Sequence, residues 1–378
     1  MSPPLVAHVI HRLGIGGLEN GLVNLINHCP TDRYRHAIVC LTEATEFRHR
    51  LRDTSVQVIE MHKRAGQDWG LYRKLWAALR ALRPSILHTR NFGALDSLLP
   101  ARLAGIRHHV HGLHGWDVND LRGTNPRYRT IRRLGDRSTD AYIAVSRDLA
   151  AWATATIGIA PNKITQIYNG VDTLRFRPRS SGDAQRMRAE LGGTDPFVIG
   201  WVGRMDAVKN PLALVSMMRE LLERRPDLRP RVRLAMVGAG PLQQQVAAAV
   251  QSAQLSQHVW LPGARDDIDI VLRSFDVFVL PSLNEGISNT ILEAMASGIP
   301  VIAGRVGGNA ELIEQGVTGT LTDSVEPSAL AAAILPYLDN AGIVSARGAA
   351  GRTAVEDRFS MRNMVEEYLR VYDCVARR

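Results

Sequence analysis

Short apolar runs rich in Val, Ile and Leu alternate with longer stretches whose apolar positions recur three and four apart, along nearly all of the 378 residues. The short runs read as buried strands and the longer stretches as helices with one apolar face. In the first half the expected strands are residues 5–11, 36–42, 56–60, 85–89, 108–113, 140–145 and 164–168, with helices over 18–28, 69–83, 94–104 and 146–157. The pattern then restarts. Strands are expected at 197–202, 231–237, 258–261, 276–280, 299–303 and 319–322, with helices at 210–224, 241–253, 266–274, 289–297, 308–315 and 326–339. Strands alternating with helices predict parallel sheets covered by helices. Residues 177–196, which begin Arg177-Pro178-Arg179-Ser180-Ser181-Gly182, read as a linker and the first helix of the second half. The predicted fold class is α/β, with two Rossmann-like parallel-sheet domains facing across a cleft. Their expected extents are 1–178 and 179–359.

Chemistry-bearing residues fall where such sheets bind ligands, at the carboxyl ends of strands. After the strand Phe197–Val202 come Gly203, Arg204 and, five residues on, Lys209. A guanidinium fork and an ammonium point charge together suit a departing diphosphate. After the strand 276–280, Pro281-Ser282 ends the run, and Glu285-Gly286-Ile287-Ser288-Asn289 leads into a helix that carries Glu293. Ser288 or Asn289 can cap that helix. Its free N–H groups favour phosphate or sugar oxygens, and the two glutamates suit sugar and ribose hydroxyls. Taken singly, either pair reads as solvated surface. Two such sets after successive strands change that reading, because a nucleotide sugar needs both.

In the first half, Gly14-Ile15-Gly16-Gly17-Leu18-Glu19 follows the first strand and opens a helix. Glycines there let backbone N–H groups approach a ligand closely. A nicotinamide-binding turn is disfavoured, because Glu19 places a carboxylate where a pyrophosphate would sit. His114 follows the strand 108–113 and precedes Gly115-Trp116-Asp117. His108, His109 and His111 lie close by, but strand alternation puts 109 and 111 on one face and 108 on the other. No carboxylate or cysteine has fitting ligand spacing, so no metal site is expected. Asp117 either orients the site or caps the next segment. Asp267 and Asp269 fall in a helix-starting segment and read as helix N-terminal charge.

Composition narrows the class. No apolar run approaches the about 20 residues of a membrane span, and the opening Met1-Ser2-Pro3-Pro4 runs straight into a strand, so no signal peptide is expected. Cys29, Cys40 and Cys374 have no metal spacing and fit a reducing, cytoplasmic setting. The net charge is +9 and arginine dominates, as in Arg122, Arg127, Arg129, Arg132, Arg133 and Arg137. Aromatic residues are only 6% and no nucleic-acid motif is present, so nucleic acid is not the expected partner. Two readings stand for the charge: contact with an anionic membrane or lipid-diphosphate acceptor, and an arginine-rich composition without function. The stretch 122–137 carries the same pair, an amphipathic membrane face or a solvated helix face.

Several motifs in order carry a family resemblance. They are Gly16-Gly17-Leu18-Glu19, His114-Gly115-Trp116-Asp117, Val145-Ser146, Asn169-Gly170-Val171-Asp172 with Phe176, Val202-Gly203-Arg204 with Lys209-Asn210, Val237-Gly238-Ala239-Gly240-Pro241, Pro281-Ser282 with the Glu285–Glu293 motif, and Gly307-Gly308 with Glu311. Over nearly its whole length the chain resembles a family 4 retaining glycosyltransferase of the GT-B fold. Within that family it resembles bacterial exopolysaccharide sugar transferases, in particular those accompanying PEP-CTERM protein-sorting systems. The resemblance implies metal-independent transfer of a hexosyl group from a nucleotide sugar to a glycan or polyprenyl-diphosphate-linked acceptor. It implies that Arg204 and Lys209 neutralise the leaving diphosphate and that Glu285 and the N–H groups of Gly286, Ile287, Ser288 and Asn289 position the sugar. By the same resemblance Glu293 binds the ribose, Gly238 and Gly240 floor the pocket, and the segment around Arg265 meets the base. Gly16 and Gly17 lie near the donor phosphates, and His114, aligned in preference to His111, touches the transferred sugar. The last helix, 360–378, crosses back to complete the first domain. A sugar-nucleotide epimerase of the same architecture and a non-catalytic nucleotide-sugar-binding protein are the rival readings.

Overall fold

The computed structural model describes residues 2–14, 16–66, 68–116, 120, 123–180, 188, 190, 191 and 196–377. These form two wholly parallel sheets. The first has strands Leu5–Ile10 (β1), Arg35–Cys40 (β2), Gln57–Glu60 (β3), Ile86–Arg90 (β4), His108–Leu113 (β5), Ala141–Ala144 (β6) and Ile164–Gln166 (β7), in the order β3-β2-β1-β4-β5-β6-β7. The second has Phe197–Val202 (β8), Val232–Val237 (β9), Val259–Gly263 (β10), Val277–Leu280 (β11), Val301–Gly304 (β12) and Gly319–Thr322 (β13), in the order β10-β9-β8-β11-β12-β13. Every expected strand is present, with ends moved by at most two residues. Apolar β-branched runs bounded by Pro, Gly and polar residues leave little ambiguity of this kind.

Each sheet belongs to its own compact unit. The first comprises Met1–Gly170 and Met361–Arg378, the second Val171–Ser360. In the first, the helix Met361–Ala376 buries Met364, Tyr368, Val371 and Tyr372 in one cluster with Val6, Leu25, Val110 and Ile143. The chain changes units at residue 170/171, earlier than the sequence boundary of 178/179. The cause lies in the second unit. Val171 bridges Ser360, and the Arg352 guanidinium donates to the carbonyls of Thr173, Phe176 and Ala296. The Asn169–Asp172 motif and Phe176 therefore sit at the crossover, and residues 171–176 pack as part of the second unit. Of the helix expected within 177–196, most falls outside the described residues.

One helix was not legible in the sequence. Ala341–Arg358 has no apolar stripe, and it buries Gly348, Gly351 and Val355 instead. A Cβ on Gly348 would lie 2.1 Å from the Gly298 carbonyl oxygen, so this helix packs backbone against backbone, a mode that hydrophobic periodicity does not report.

Candidate functional site

In the second sheet the strand order reverses between β8 and β11. Loops leaving the carboxyl ends of two such strands diverge and open a crevice, the general binding position of this architecture. Glycines let the loops pack. A Cβ on Gly238 would lie 1.9 Å from the Gly203 carbonyl oxygen, and one on Gly240 would lie 2.5 Å from that of Met205. The loops after β8 and β9 are thus joined, with Gly203 N–H donating to Val237 and Met205 N–H to Ala239, each at 3.0 Å. On the other side a Cβ on Gly307 (φ +49°) would lie 1.8 Å from the Glu285 carbonyl oxygen, and one on Gly308 would lie 2.2 Å from that of Gly286. Gly238, Gly240, Gly307 and Gly308 hold the crevice walls together before any ligand arrives.

The charged groups converge on this crevice. Lys209 Nζ donates to Glu285 Oε1 at 2.6 Å. Glu285 is 8% exposed and the Lys209 side chain 25%. An ion pair this removed from water adds little net stability, because both groups are desolvated. Its ammonium keeps two further N–H donors for a ligand. Asp206, which the sequence reading passed over, organises the same loop. Its Oδ1 accepts from Lys209 N–H at 2.9 Å and its Oδ2 from Arg204 Nε at 2.6 Å. Arg204 itself is 64% exposed. Asn210 follows with φ +51°, a left-handed conformation that asparagine tolerates, and Pro211 then opens the helix Pro211–Arg224. The Lys-Asn-Pro run therefore serves to turn the chain sharply after the lysine.

From β11, residues 281–288 lead to the helix Asn289–Ala296, where the Ser288 hydroxyl accepts from Ile291 N–H at 3.4 Å. Of the two capping candidates, Ser288 is the cap. Ile287 and Ser288 are buried, whereas Gly286, Asn289 and Glu293 are half-buried, with Glu293 one turn inside the helix. Arg265 follows β10 on the sheet edge. Its guanidinium takes both oxygens of Asp267 (2.8 and 2.6 Å), reaches Glu190 at 3.3 Å and lies over the Trp260 ring at 5.5 Å. Asp267 precedes the helix Ile268–Leu272 but makes no side-chain cap bond. Its carboxylate also takes Arg265, which holds its pKa below the usual range, and it stands at the N-terminus of the helix as read from the sequence. Asp269 lies in the first turn of that helix, where it pairs with Arg175 and Arg273.

In the first unit, Gly16 and Gly17 stand at the turn after β1, beside the reversal of strand order between β1 and β4. The helix Gly17–His28 starts there, and Glu19 folds back so that its Oε2 would lie 2.2 Å from a Cβ on Gly16. His114 follows β5, with its N–H on Asn91 Oδ1 at 2.9 Å. Its Nε2 is buried without a protein partner and, with His88 Nε2, lies over Gly112, whose Cβ would come within 2.5 and 3.2 Å of the two. His109 and His111 share a face, as strand alternation requires, and both bond Thr89 Oγ1 (2.7 and 2.8 Å). Asp117 and Arg122 lie outside the described residues. Among the described residues no group of three or more His, Cys, Asp or Glu has metal-holding geometry.

Of the two readings of the basic stretch, the structure shows the solvated helix face: the helix Pro126–Asp136 buries none of its residues, and Arg127, Arg133 and Arg137 are exposed. Arg129 and Arg133 donate to the carbonyls of Thr156 and Ile157, at the end of the helical turn Ala153–Ile157. Arg132 lies over the rings of Phe92 and Trp152 at 4.7 and 5.1 Å. Three of the arginines on this solvated helix thus also bind the protein itself.

Parallel sheets of this order, with cations and carboxylates gathered at the reversal, define a doubly wound α/β protein with a polar crevice at the carboxyl ends of its strands. Comparison with known proteins narrows the class. Residues 196–340 match the family model for glycosyl transferases group 1, and residues 15–175 that for glycosyltransferase family 4. A GDP-mannose-dependent alpha-(1-6)-phosphatidylinositol monomannoside mannosyltransferase of Mycolicibacterium smegmatis is 31% identical over 272 residues, 69% of either chain. A UDP-Gal:alpha-D-GlcNAc-diphosphoundecaprenol alpha-1,3-galactosyltransferase of Escherichia coli is 31% identical over 255 residues, 66% of this chain and 65% of that one. Across several other curated relatives the match spans about half their length, as with 49% and 51% of two D-inositol 3-phosphate glycosyltransferases. Among solved structures, Anabaena HepE in complex with UDP and glucose superposes with a TM-score of 0.85 at 20% identity, covering 98% of this chain and all of that one. WaaG, a glycosyltransferase involved in lipopolysaccharide biosynthesis, gives 0.77 at 15% identity, covering 98% and 99%. The chain belongs to the family 4 glycosyltransferases, and its two sheets are those of the GT-B fold.

Proposed function

We propose that this chain is a retaining, metal-independent glycosyltransferase. In this reading it moves a hexosyl group from a nucleotide sugar to a growing, lipid-linked exopolysaccharide or related glycan. The observation that carries the reading is the Lys209–Glu285 pair at 2.6 Å. It joins a diphosphate-binding cation to a sugar-binding carboxylate at the reversal of the second sheet.

The acceptor hydroxyl oxygen attacks the anomeric carbon on the face that the diphosphate leaves. The carbon–oxygen bond to the diphosphate breaks, and a donor phosphate oxygen takes the acceptor proton. Arg204 and Lys209 carry the neutralising charge, which grows as that bond breaks. Glu285 and the N–H groups of Gly286 to Asn289 hold the sugar, Glu293 holds the ribose, and the Arg265 loop holds the base. Gly203, Gly238 and Gly240 let the backbone approach the donor. Gly16 and Gly17 are assigned to the donor phosphates and His114 to the transferred sugar by the family resemblance. A peripheral position on the cytoplasmic side of the membrane follows from a lipid-linked acceptor. Two relatives whose names specify a diphosphoundecaprenol and a phosphatidylinositol acceptor support that class, and HepE with bound UDP supports the donor class.

The test is a thermal-shift screen against UDP, GDP, ADP and their sugars, with and without chelator. It is followed by transfer of labelled sugar to a polyprenyl-diphosphate-linked acceptor. Stabilisation by one nucleotide class, indifferent to chelator, and acceptor-dependent transfer are expected. Conversion of the donor sugar without acceptor would identify an epimerase. Binding without any turnover would identify a sensor, and stabilisation by NAD alone would overturn the reading.

A further inference from the structure

The first unit presents an outward stripe on the helix Trp69–Leu82 that its interior does not use. Leu71, Leu75 and Leu79 bury one side of this helix. Trp69, Arg73, Trp76, Arg80 and Arg83 recur four and three apart on the opposite side and are exposed. The Trp69 indole is 77% exposed and Trp76 38%. Arg80 lies over the Trp76 ring at 5.7 Å, and Trp76 Nε1 donates to Leu103 O at 3.4 Å. That bond ties the stripe to the helix Leu98–Leu103, whose Leu99 and Leu103 are 59% and 67% exposed and whose Arg102 is exposed. Arg80 and Arg83 also line a shallow hollow with Pro84, Ala104, Gly105 and Ile106.

We propose that this face docks on an anionic lipid bilayer, with Trp69, Trp76, Leu99 and Leu103 seated among the headgroups and Arg73, Arg80, Arg83 and Arg102 on lipid phosphates. Indoles favour the boundary between water and hydrocarbon, and long basic side chains lay their stems on apolar surface while the heads reach phosphate. Arg73, Lys74, Arg80, Arg83, Arg102 and Arg107 are exposed over residues 68–107, against the two carboxylates Asp68 and Asp96. Two copies of so one-sided a face repel one another, which disfavours self-association. On the solvated helix Pro126–Asp136 the guanidinium groups of Arg129, Arg132 and Arg133 are engaged by the protein's own carbonyls and rings, which leaves Arg127 and Arg137 for lipid. The inference deepens the lipid-linked reading above, but its readout does not depend on transfer.

The full chain is floated with vesicles of phosphatidylcholine alone and with equal parts of phosphatidylglycerol. Retention by the anionic vesicles only, weakened by salt, is expected. The double variant Arg73→Glu/Arg80→Glu loses about twentyfold or more in affinity, from about fivefold per charge. Trp69→Ser/Trp76→Ser loses about tenfold and abolishes quenching by brominated lipid. Arg127→Glu/Arg137→Glu keeps most of the binding. Unchanged melting temperatures and nucleotide stabilisation show that a variant is folded. If the tryptophan pair fails this control, the arginine pair decides. Equal retention of the wild-type chain and the arginine variant overturns the proposal. So does binding of the wild-type chain to duplex DNA but not to vesicles, or a dimer that the tryptophan variant dissolves.

Discussion

The two sheets place their polar groups in opposite ways. β1, β4 and β5 carry His8, His88, Thr89, Arg90, His109 and His111 within the strands, every one of them buried. Most of their polar atoms meet one another, while His88 Nε2, Arg90 Nε and His111 Nε2 are buried without a hydrogen-bond partner among the described residues. His8 Nε2 meets His36 Nδ1 at 2.9 Å, Arg90 donates to His8 Nδ1 at 2.8 Å, and His88 Nδ1 meets the Tyr372 hydroxyl at 2.7 Å. β8, β11 and β12 contain apolar residues and glycine alone, and their polar groups begin where the strands end. Groups buried inside a sheet are committed to each other and fix its internal packing. Groups at a strand's end keep donors and acceptors for a ligand. The same topology thus yields a polar core in one unit and a binding crevice in the other.

Acid breaks the comparison most strongly. Burial holds His8, His88, His111 and His114 well below the ordinary value of 6.5, and brings His36 to about 4 and His109 to about 3. These histidines stay neutral in the folded chain but protonate in the unfolded one. Their contribution is complete above about pH 7 and is lost as pH falls below 6.5, levelling for His36 near 4. One pH unit below the unfolded value, each withdraws about 1.4 kcal/mol. The first unit is expected to open before the second between pH 6.5 and 5. Hydrogen exchange compared between β1 or β4 and β8 or β11 checks this, and simultaneous loss of protection would contradict it.

The chemical half of the comparison is tested at the crevice. Arg204→Ala and Lys209→Ala are each expected to lower turnover about 100- to 1,000-fold with the fold intact, measured as sugar transfer under saturating donor. Near-normal turnover in both would remove them from the leaving-group role. Glu293→Ala is expected to weaken nucleotide binding more than turnover, read by titration calorimetry. Gly307→Ala probes the crevice wall. Its Cβ meets the Glu285 carbonyl at a left-handed φ, so a loss of about 2–4 kcal/mol is expected in denaturant melts. Ser288→Ala, which removes one cap bond, should cost about 1 kcal/mol.

Much of this was legible in sequence. The strands announced themselves by composition, and the cap of the helix carrying Glu293 was narrowed to Ser288 or Asn289, between which the structure chose Ser288. Other features were hidden by long-range partners. The roles of Gly307 and Gly308 depend on carbonyls of residues 285 and 286, about twenty positions away. Arg352 looks like any helical arginine until its carbonyl partners at 173, 176 and 296 are known. Asp206 carried a weak signal, a carboxylate set between the two cations of its own loop.

Local pattern and residue type determined the parallel α/β class, its two halves, and which groups fall at the ends of β8 and β11, because strand identity and alternation are written in a few consecutive side chains. Tertiary structure alone decided that Lys209 meets Glu285, that Arg129 and Arg133 find the carbonyls of Thr156 and Ile157, and that His8 meets His36. Each of these depends on backbones brought together from distant parts of the chain, and no local property of the sequence records that distance.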